Sequence, residues 1–200
     1  MTTTLSNSIP TYSSGTLLTT SGTSSTNSVI YTTGGNVGIG TSTTIVDDIL
    51  VELRHATTYA LVASTQAILL TNGTAACTFS TAPNGSFYVV VKHRSAIETW
   101  STNPVEIAAS SSYNFTTAAN KAFGNNMREI EPGIFAFYNG DINQDGAMDN
   151  SDFEQLFPDI DNSNYGVQAT DLNGDGAVDN SDLENIFGNV DNSIYTNRSY

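Results

Sequence analysis

Two short segments near the C-terminus place an oxygen-bearing side chain at nearly every second position. Residues 141–152 and 171–182 align without a gap, 30 positions apart. Calcium binds about six to eight oxygen atoms, which a loop supplies from its positions 1, 3, 5, 7, 9 and 12. In the first loop these positions hold Asp141, Asn143, Asp145, the carbonyl of Ala147, Asp149 and Asp152. In the second loop they hold Asp171, Asn173, Asp175, the carbonyl of Ala177, Asp179 and Asp182.

Glycine occupies position 6 of both loops. Gly146 and Gly176 stand where the sharp turn of such a loop needs a residue that tolerates positive φ. Because every ligand position is filled in both copies, the sequence predicts Ca²⁺ as the cofactor, with one ion in each loop. The alternative is an acidic repeat that only stays hydrated.

A short helix is predicted after each loop. Apolar residues recur at i, i+3 and i+4 from Phe153 and again from Leu183, and Pro158 and Gly188 are expected to end the helices. The segment before the first loop, residues 134–138, is predicted to be a strand. Position 12 holds Asp and not the bidentate Glu of an EF-hand. Each repeat is therefore predicted to be a loop followed by a single helix.

This arrangement resembles the dockerin family over residues 140–195. The resemblance implies a small α-helical module in which each repeat binds one calcium ion and the two repeats pack together. It also makes a cohesin-like partner possible, and in that case loop positions 10 and 11 would help to choose the partner. Those positions are residues 150–151 and 180–181, which could equally serve only to start the helices. Dockerin-like modules also occur as plain structural units.

Composition divides the chain into three parts. Residues 1–45 contain no charged side chain, and 23 of them are Ser or Thr, which indicates an extended arm. Residues 46–139 have an ordinary globular composition, and residues 140–200 hold 13 of the 20 carboxylates. The net charge of −14 argues against binding to nucleic acid or to anionic membranes, because both need clustered Lys and Arg.

The middle part alternates short apolar runs with turn residues, as antiparallel β proteins do. It is predicted to be an antiparallel Greek-key β-sandwich. Residues 84–92 resemble a strand entry of the transthyretin-like, carboxypeptidase-regulatory-like and collagen-adhesin B-type sandwiches. The predicted strands are Ile49–Arg54, Leu61–Leu70, Ala75–Phe79, Phe87–His93, Ala96–Trp100, Val105–Ala108, Tyr113–Thr116, Met127–Glu131 and Ile134–Tyr138.

The middle part offers no spacing typical of a catalytic site. A nucleophile needs a base and an orienting group within reach, and two His and one Cys form no such signature. Cys77 is expected in the core and His93 on the surface. Trp100 and Tyr113 could form a platform for sugars, although a place in the core is favoured for both. We therefore expect no enzymatic activity.

The arm contains one distinctive segment. Residues 35–41, Gly-Asn-Val-Gly-Ile-Gly-Thr, resemble a segment of phage fibres and other trimeric β-structured surface proteins. Glycines that alternate with Val37 and Ile39 suit a strand approached closely by other backbones. The arm is therefore expected to form a homo-oligomer, with a trimer as the first expectation and a dimer as the second, or to attach to a host particle.

These features favour a structural protein of a virion, such as a capsid, tail-fibre or decoration subunit, assembled in the host cytoplasm. Residues 1–25 lack the basic and apolar regions of a secretory signal peptide, and Cys77 has no partner for an intrachain disulfide. The alternative is a secreted dockerin-bearing adhesion or scaffold-docking module of a bacterial surface assembly.

Overall fold

A computed structural model describes residues 18–21, 45–70, 73–80, 84–166 and 168–198. Within these ranges the chain forms ten strands and two α-helices. The strands are β1 (Leu18–Ser21), β2 (Ile45–His55), β3 (Leu61–Leu70), β4 (Ala75–Thr78), β5 (Gly85–His93), β6 (Ala96–Trp100), β7 (Val105–Ile107), β8 (Ser110–Tyr113), β9 (Arg128–Glu131) and β10 (Ile134–Ala136). The helices are α1 (Asn150–Asp161) and α2 (Asn180–Asp191).

Eight of these strands form one sheet. Its order is β6-β5-β2-β3-β4-β1-β8, and β7 also pairs with β5. All pairings are antiparallel except that of β1 with β4, which is parallel. The strand β1 belongs to the predicted arm and lies between β4 and β8. The strands β9 and β10 form a separate antiparallel hairpin.

Side-chain alternation along the central strands gives the sheet a buried apolar face. Ile49, Val51 and Leu53 of β2 point to this face, and Val89 and Val91 of β5 continue it. Aromatic residues from β5 and from the segments outside the strands complete the same cluster, and they include Phe79, Phe87, Phe115 and Phe137. Cys77 is buried in this core, as predicted.

The opposite face carries a smaller cluster around Trp100. Its ring centroid lies 5.7 Å from that of Tyr88, and its Nε1 donates to Oε1 of Glu98 at 2.6 Å. Trp100 is only 4 % exposed, so it does not form a surface platform for sugars. Tyr113 is half-buried, with its ring against Phe115. The core placement favoured for Trp100 is confirmed.

The helices begin where the loops end. Asp149 caps α1 by accepting from the amide of Ser151 at 2.7 Å, and Asp179 caps α2 in the same way. Both helices extend beyond the predicted ends, because Pro158 lies inside α1 and Gly188 inside α2. Pro158 is exposed, and because it has no amide hydrogen it cannot form the intrahelical bond to the carbonyl of Glu154.

The prediction of a mainly β chain with antiparallel pairing is confirmed. The bounds of β3 and β6 agree with the predicted ones, and most other strands differ by a few residues at either end. The largest difference is at β8, which ends at Tyr113 instead of starting there. The Greek-key sandwich stays a prediction.

No helix in the described ranges is long and apolar enough to cross a membrane.

Candidate calcium sites

The first acidic loop is curved by hydrogen bonds from its own side chains. Oδ1 of Asn143 accepts from the amide of Asp145 at 2.9 Å, and Oδ1 of Asp145 accepts from the amide of Ala147 at 2.9 Å. An Asn or Asp side chain that bonds the backbone two residues later forms a tight turn. Two such turns in succession give the backbone of residues 143–147 a tight curve.

The second loop repeats this geometry closely. Asn173 accepts from the amide of Asp175 at 2.8 Å, and Asp175 accepts from the amide of Ala177 at 2.9 Å. The position-6 glycines also agree, with φ of 90° at Gly146 and 88° at Gly176. These positive values confirm the need for glycine that the sequence indicated.

Positions 1 and 12 of each loop bring two carboxylates into the interior. Asp141 and Asp171 are each 2 % exposed, and Asp152 and Asp182 are completely buried. None of these four carboxylates forms an ion pair within the ranges that the structure describes. Burying charged groups without a counter-charge is costly, so a bound cation would offset a real penalty here.

The pKa values of these groups reflect the same penalty. Burial, together with the nearby charges of Asp152 and Asp145, raises the pKa of Asp141 to about 7. Burial also raises the pKa of Asp152, Asp171 and Asp182 above the ordinary value. Carboxyl groups that resist ionisation in the free protein are groups that a divalent cation would favour in the ionised form.

The remaining expected ligands lie nearer to solvent. Asn143, Ala147 and Ala177 are half-buried and Asn173 is buried, whereas Asp145, Asp149, Asp175 and Asp179 are exposed. Within the described part of the chain, no three Asp, Glu, His or Cys side chains converge into a compact metal-binding group. The expected donor set consists only of carboxylate, amide and backbone oxygens, which fits the preference of calcium for hard ligands. Calcium, when bound, would supply the positive charge that the loops lack.

Loop positions 10 and 11 have different surroundings. Asn150 and Asn180 are exposed at the first position of each helix. By contrast, Ser151 accepts from Nδ2 of Asn143 at 2.6 Å, and Ser181 accepts from Nδ2 of Asn173 at 2.6 Å. The serines therefore help to fix the position-3 residue of their own loop, a role that the sequence analysis missed.

Each loop also pairs with the chain that follows the helix of the other repeat. Ala147 forms an antiparallel bridge with Tyr195, and Ala177 forms one with Tyr165. Beneath these bridges an apolar cluster joins both repeats, with Leu156 and Ile186 completely buried within it. The two loops are thus parts of one folded unit, called the loop–helix unit below (residues 140–198).

The loop–helix unit contacts the β5–β6 turn of the sheet through buried backbone groups. The amide of Gly140, the first residue of the unit, donates to the carbonyl of Ser95 at 2.6 Å. Just before the unit, the carbonyl of Tyr138 accepts from the amide of Ile97 on β6 at 3.0 Å. On the side of α2, Nδ2 of Asn189 donates to the carbonyl of Asn139 at 2.7 Å. No sequence pattern indicated these contacts, because the partners are up to 50 residues apart.

The prediction that His93 lies on the surface is wrong. Its side chain is 1 % exposed, and its Nε2 lies 3.0 Å from Oδ2 of Asp47 without forming a well-directed hydrogen bond. Nδ1 of His93 accepts from the amide of Ser95 at 3.3 Å. His93 and Ser95 of this turn are buried, and the carbonyl of Ser95 accepts from the amide of Gly140 in the loop–helix unit.

A hydroxyl, an imidazole and a carboxylate are consequently in contact. Oγ of Ser95 lies 3.3 Å from Nδ1 of His93, whose other nitrogen faces Asp47. A catalytic nucleophile must be reached by its substrate, and Ser95 is 1 % exposed with its carbonyl bonded to Gly140. The arrangement is that of a buried polar network that supports the turn.

No protein-family model matches the chain, and no curated protein or solved structure matches it at a significant level.

Proposed function

We propose that this chain is a structural protein of a virion, a capsid, tail-fibre or decoration subunit, stabilised by two calcium ions. The observation that carries the proposal is the attachment of the loop–helix unit to the sheet. Gly140 and Asn139 of the junction are buried and hydrogen-bonded to groups on both sides. A unit fixed in this way can stiffen one body, whereas a tethered docking domain would have few such contacts.

The calcium in this proposal acts on stability. The buried carboxylates at positions 1 and 12 form no ion pair in the described chain. A ligand that binds only the folded state stabilises it by about 2.7 kcal/mol at a hundredfold excess over its Kd. Two such ions would therefore contribute on the order of 5 kcal/mol, which is comparable to the total stability of many small domains.

The assignment to a virion is supported by the uncharged arm. Its segment 35–41 resembles phage fibres, and an arm without charged side chains causes no electrostatic repulsion between the arms of different copies. The predicted strand around Val37 and Ile39 lies outside the described residues. Within the arm, Leu18–Ser21 is described, and it pairs with two strands of the sheet.

The proposed role is not catalytic. In the hydroxyl–imidazole–carboxylate contact of Ser95, His93 and Asp47, the hydroxyl and the imidazole are buried, so a substrate would not reach the hydroxyl. Burial also raises the pKa of the Cys77 thiol to about 12, so this group is not a nucleophile at neutral pH.

A second candidate is favoured by a specific surface. Phe157 and Phe187 are 47 % and 51 % exposed, and both rings lie against Phe153, at 5.6 and 5.2 Å between centroids. Exposed aromatic groups of this kind are typical of a docking surface. This surface favours a secreted dockerin-bearing module that binds a cohesin-like partner.

Two measurements test the proposal. Calorimetric titration of the chelator-treated chain should give two calcium ions per chain, and Asp141→Ala and Asp171→Ala should each remove one. Mass spectrometry of purified virus particles that encode the chain should find it as a stoichiometric component. Absence from the particles, together with binding to a cohesin domain, would replace this proposal by the second candidate.

A further inference from the structure

In both calcium loops the backbone carbonyl of loop position 1 accepts a side-chain hydrogen bond, but the donors differ. In the first loop, Nε2 of Gln144 at position 4 donates to the carbonyl of Asp141 and also to that of Ala96, at 3.4 Å. In the second loop, position 4 is Gly174, which has no side chain. There, Nη1 of Arg94 donates to the carbonyl of Asp171 at 3.4 Å.

A second donor from outside the repeats holds the next carbonyl of the second loop. Nδ2 of Asn139, which follows β10, donates to the carbonyl of Leu172 at 3.0 Å. Asn139 is 1 % exposed and Leu172 is 3 % exposed, so water cannot easily replace this bond. The first two residues of the second loop are therefore held by side chains of the β5–β6 turn and of the chain leaving β10.

We propose that Arg94 and Asn139 are positioning residues for the second calcium site, whereas the first site is positioned by its own Gln144. The inference rests on the calcium binding proposed above. A ligand loop that is already fixed loses less conformational freedom when it binds, so its affinity is higher. The two sites are thus inequivalent, and the affinity of the second depends on its contacts with the sheet.

The dependence is reciprocal. If an intact sheet raises the calcium affinity of the second loop, then calcium in that loop stabilises the contact with the sheet by the same factor. The contact passes through Arg94, whose Nε also donates to Oδ2 of Asp47 on β2 at 3.0 Å. Occupancy of the second loop is in this way linked to β2 of the sheet.

The positioning role of Arg94 raises the calcium affinity of the second site, whereas its positive charge lowers that affinity. A guanidinium near a divalent cation repels it, although the carboxylate of Asp47 offsets part of that charge. Asn139 is uncharged and therefore gives a clean test of positioning. Arg94→Lys gives an independent one, because Lys keeps the charge but lacks the fork that reaches Asp47 and Asp171 together.

The test measures each site alone. Full-length Asp141→Ala should retain calcium binding only in the second loop, and full-length Asp171→Ala only in the first. Calorimetric titration of each variant with CaCl₂ therefore reports the affinity of one site. Adding Asn139→Ala should weaken the second site about tenfold, or ~1.4 kcal/mol, and should change the first site by less than twofold. Arg94→Lys should also weaken only the second site. The matched control, Gln144→Ala, should weaken only the first site.

The outcomes separate this inference from the proposed function. Equal effects of Asn139→Ala on both sites, or no effect of either Asn139→Ala or Arg94→Lys on the second, would overturn the inference while two ions still bind. An unmutated chain that binds no calcium would reject the proposed function and this inference with it. The unchanged first site in the Asp171→Ala background also shows that the Asn139→Ala chain is folded.

Discussion

The carboxylate of Asp152 holds the beginning of its own loop, because its Oδ1 accepts from the amide of Ile142 at 2.7 Å. The same oxygen accepts from the amide of Asn143 at 3.1 Å, and Oδ2 accepts from the amide of Asp149 at 2.9 Å. Asp182 makes the corresponding three bonds in the second loop. The position-12 carboxylate therefore organises the loop in addition to being an expected calcium ligand.

Asp152→Ala should accordingly destabilise the protein even without calcium. It leaves three amides without their acceptor, and we expect a loss of about 3 kcal/mol in the free energy of unfolding. Asp145→Ala is the matched control, because Asp145 is an expected ligand that lies exposed. Urea denaturation in EDTA should show a loss below about 1 kcal/mol for Asp145→Ala. Equal losses for both variants in EDTA would contradict the organising role of Asp152.

The sequence was sufficient for features that depend on local patterns. The strands β3 and β6, the helix after each loop and the position-6 glycines follow from neighbouring residues, and all of them are present. The repeat itself allowed the equivalence of the two loops to be predicted. The difference between the two loops is also visible in the sequence, because position 4, with Gln144 in one loop and Gly174 in the other, is the one loop position at which the two residues differ in polarity.

Features that depend on distant contacts could not be predicted. His93 stands between Lys92 and Arg94, a context typical of the surface, but its side chain is buried beside Asp47 and Ser95. Arg94 reaches a carbonyl 77 residues away, and Asn139 reaches one 33 residues away. Nothing in the local sequence distinguishes a buried polar turn from an exposed one, because the difference lies in contacts with residues far along the chain.

Asp47 should make the stability of the sheet dependent on acid. Burial alone would raise the pKa of Asp47. Contact with His93 and the charges of His93 and Arg94 outweigh this effect and lower the pKa from 3.8 to about 2. A depressed carboxyl pKa contributes stability above the unfolded value and loses it as the pH falls through the folded value. The contribution, on the order of 2 kcal/mol, should therefore be present above pH ~4 and absent near pH 2.

Asp47→Asn measures this contribution. The difference in unfolding free energy between the unmutated chain and Asp47→Asn, followed by urea denaturation in EDTA, should be largest near pH 7 and should shrink between about pH 4 and pH 2. Asp161→Asn, at an exposed position on α1, is the control and should show a small difference at every pH. A difference for Asp47→Asn that does not vary with pH would show that the carboxylate is not stabilised by its contacts.

The buried contact between Ser95 and His93 should support the fold and no reaction. We expect Ser95→Ala and His93→Asn to lower the melting temperature, because each removes a partner from a buried polar network. The unmutated chain should show no turnover above background with ester, glycoside and phosphate substrates. A turnover that disappears in Ser95→Ala, with the fold intact by circular dichroism, would mean that the chain is an enzyme.

The exposed aromatic pair distinguishes stabilisation from docking. Under the proposed function, the double variant Phe157→Ser/Phe187→Ser should still be incorporated into particles, because both side chains are exposed. Leu156→Ser, at a completely buried position between the helices, is the contrasting variant and should unfold the loop–helix unit. Loss of attachment in the double variant, with an unchanged melting temperature, would favour the docking module.

The arm should assemble the protein through its apolar residues between glycines. Val37→Asp and Ile39→Asp together introduce two like charges per chain into a segment that has none, and they should therefore convert the oligomer into a monomer. Light scattering of the unmutated chain should show a trimer first and a dimer second. The control, Thr3→Asp with Ser6→Asp, adds the same charge elsewhere in the arm and should leave the oligomer intact. An oligomer that survives the changes at Val37 and Ile39 would place assembly in the sheet or in the loop–helix unit.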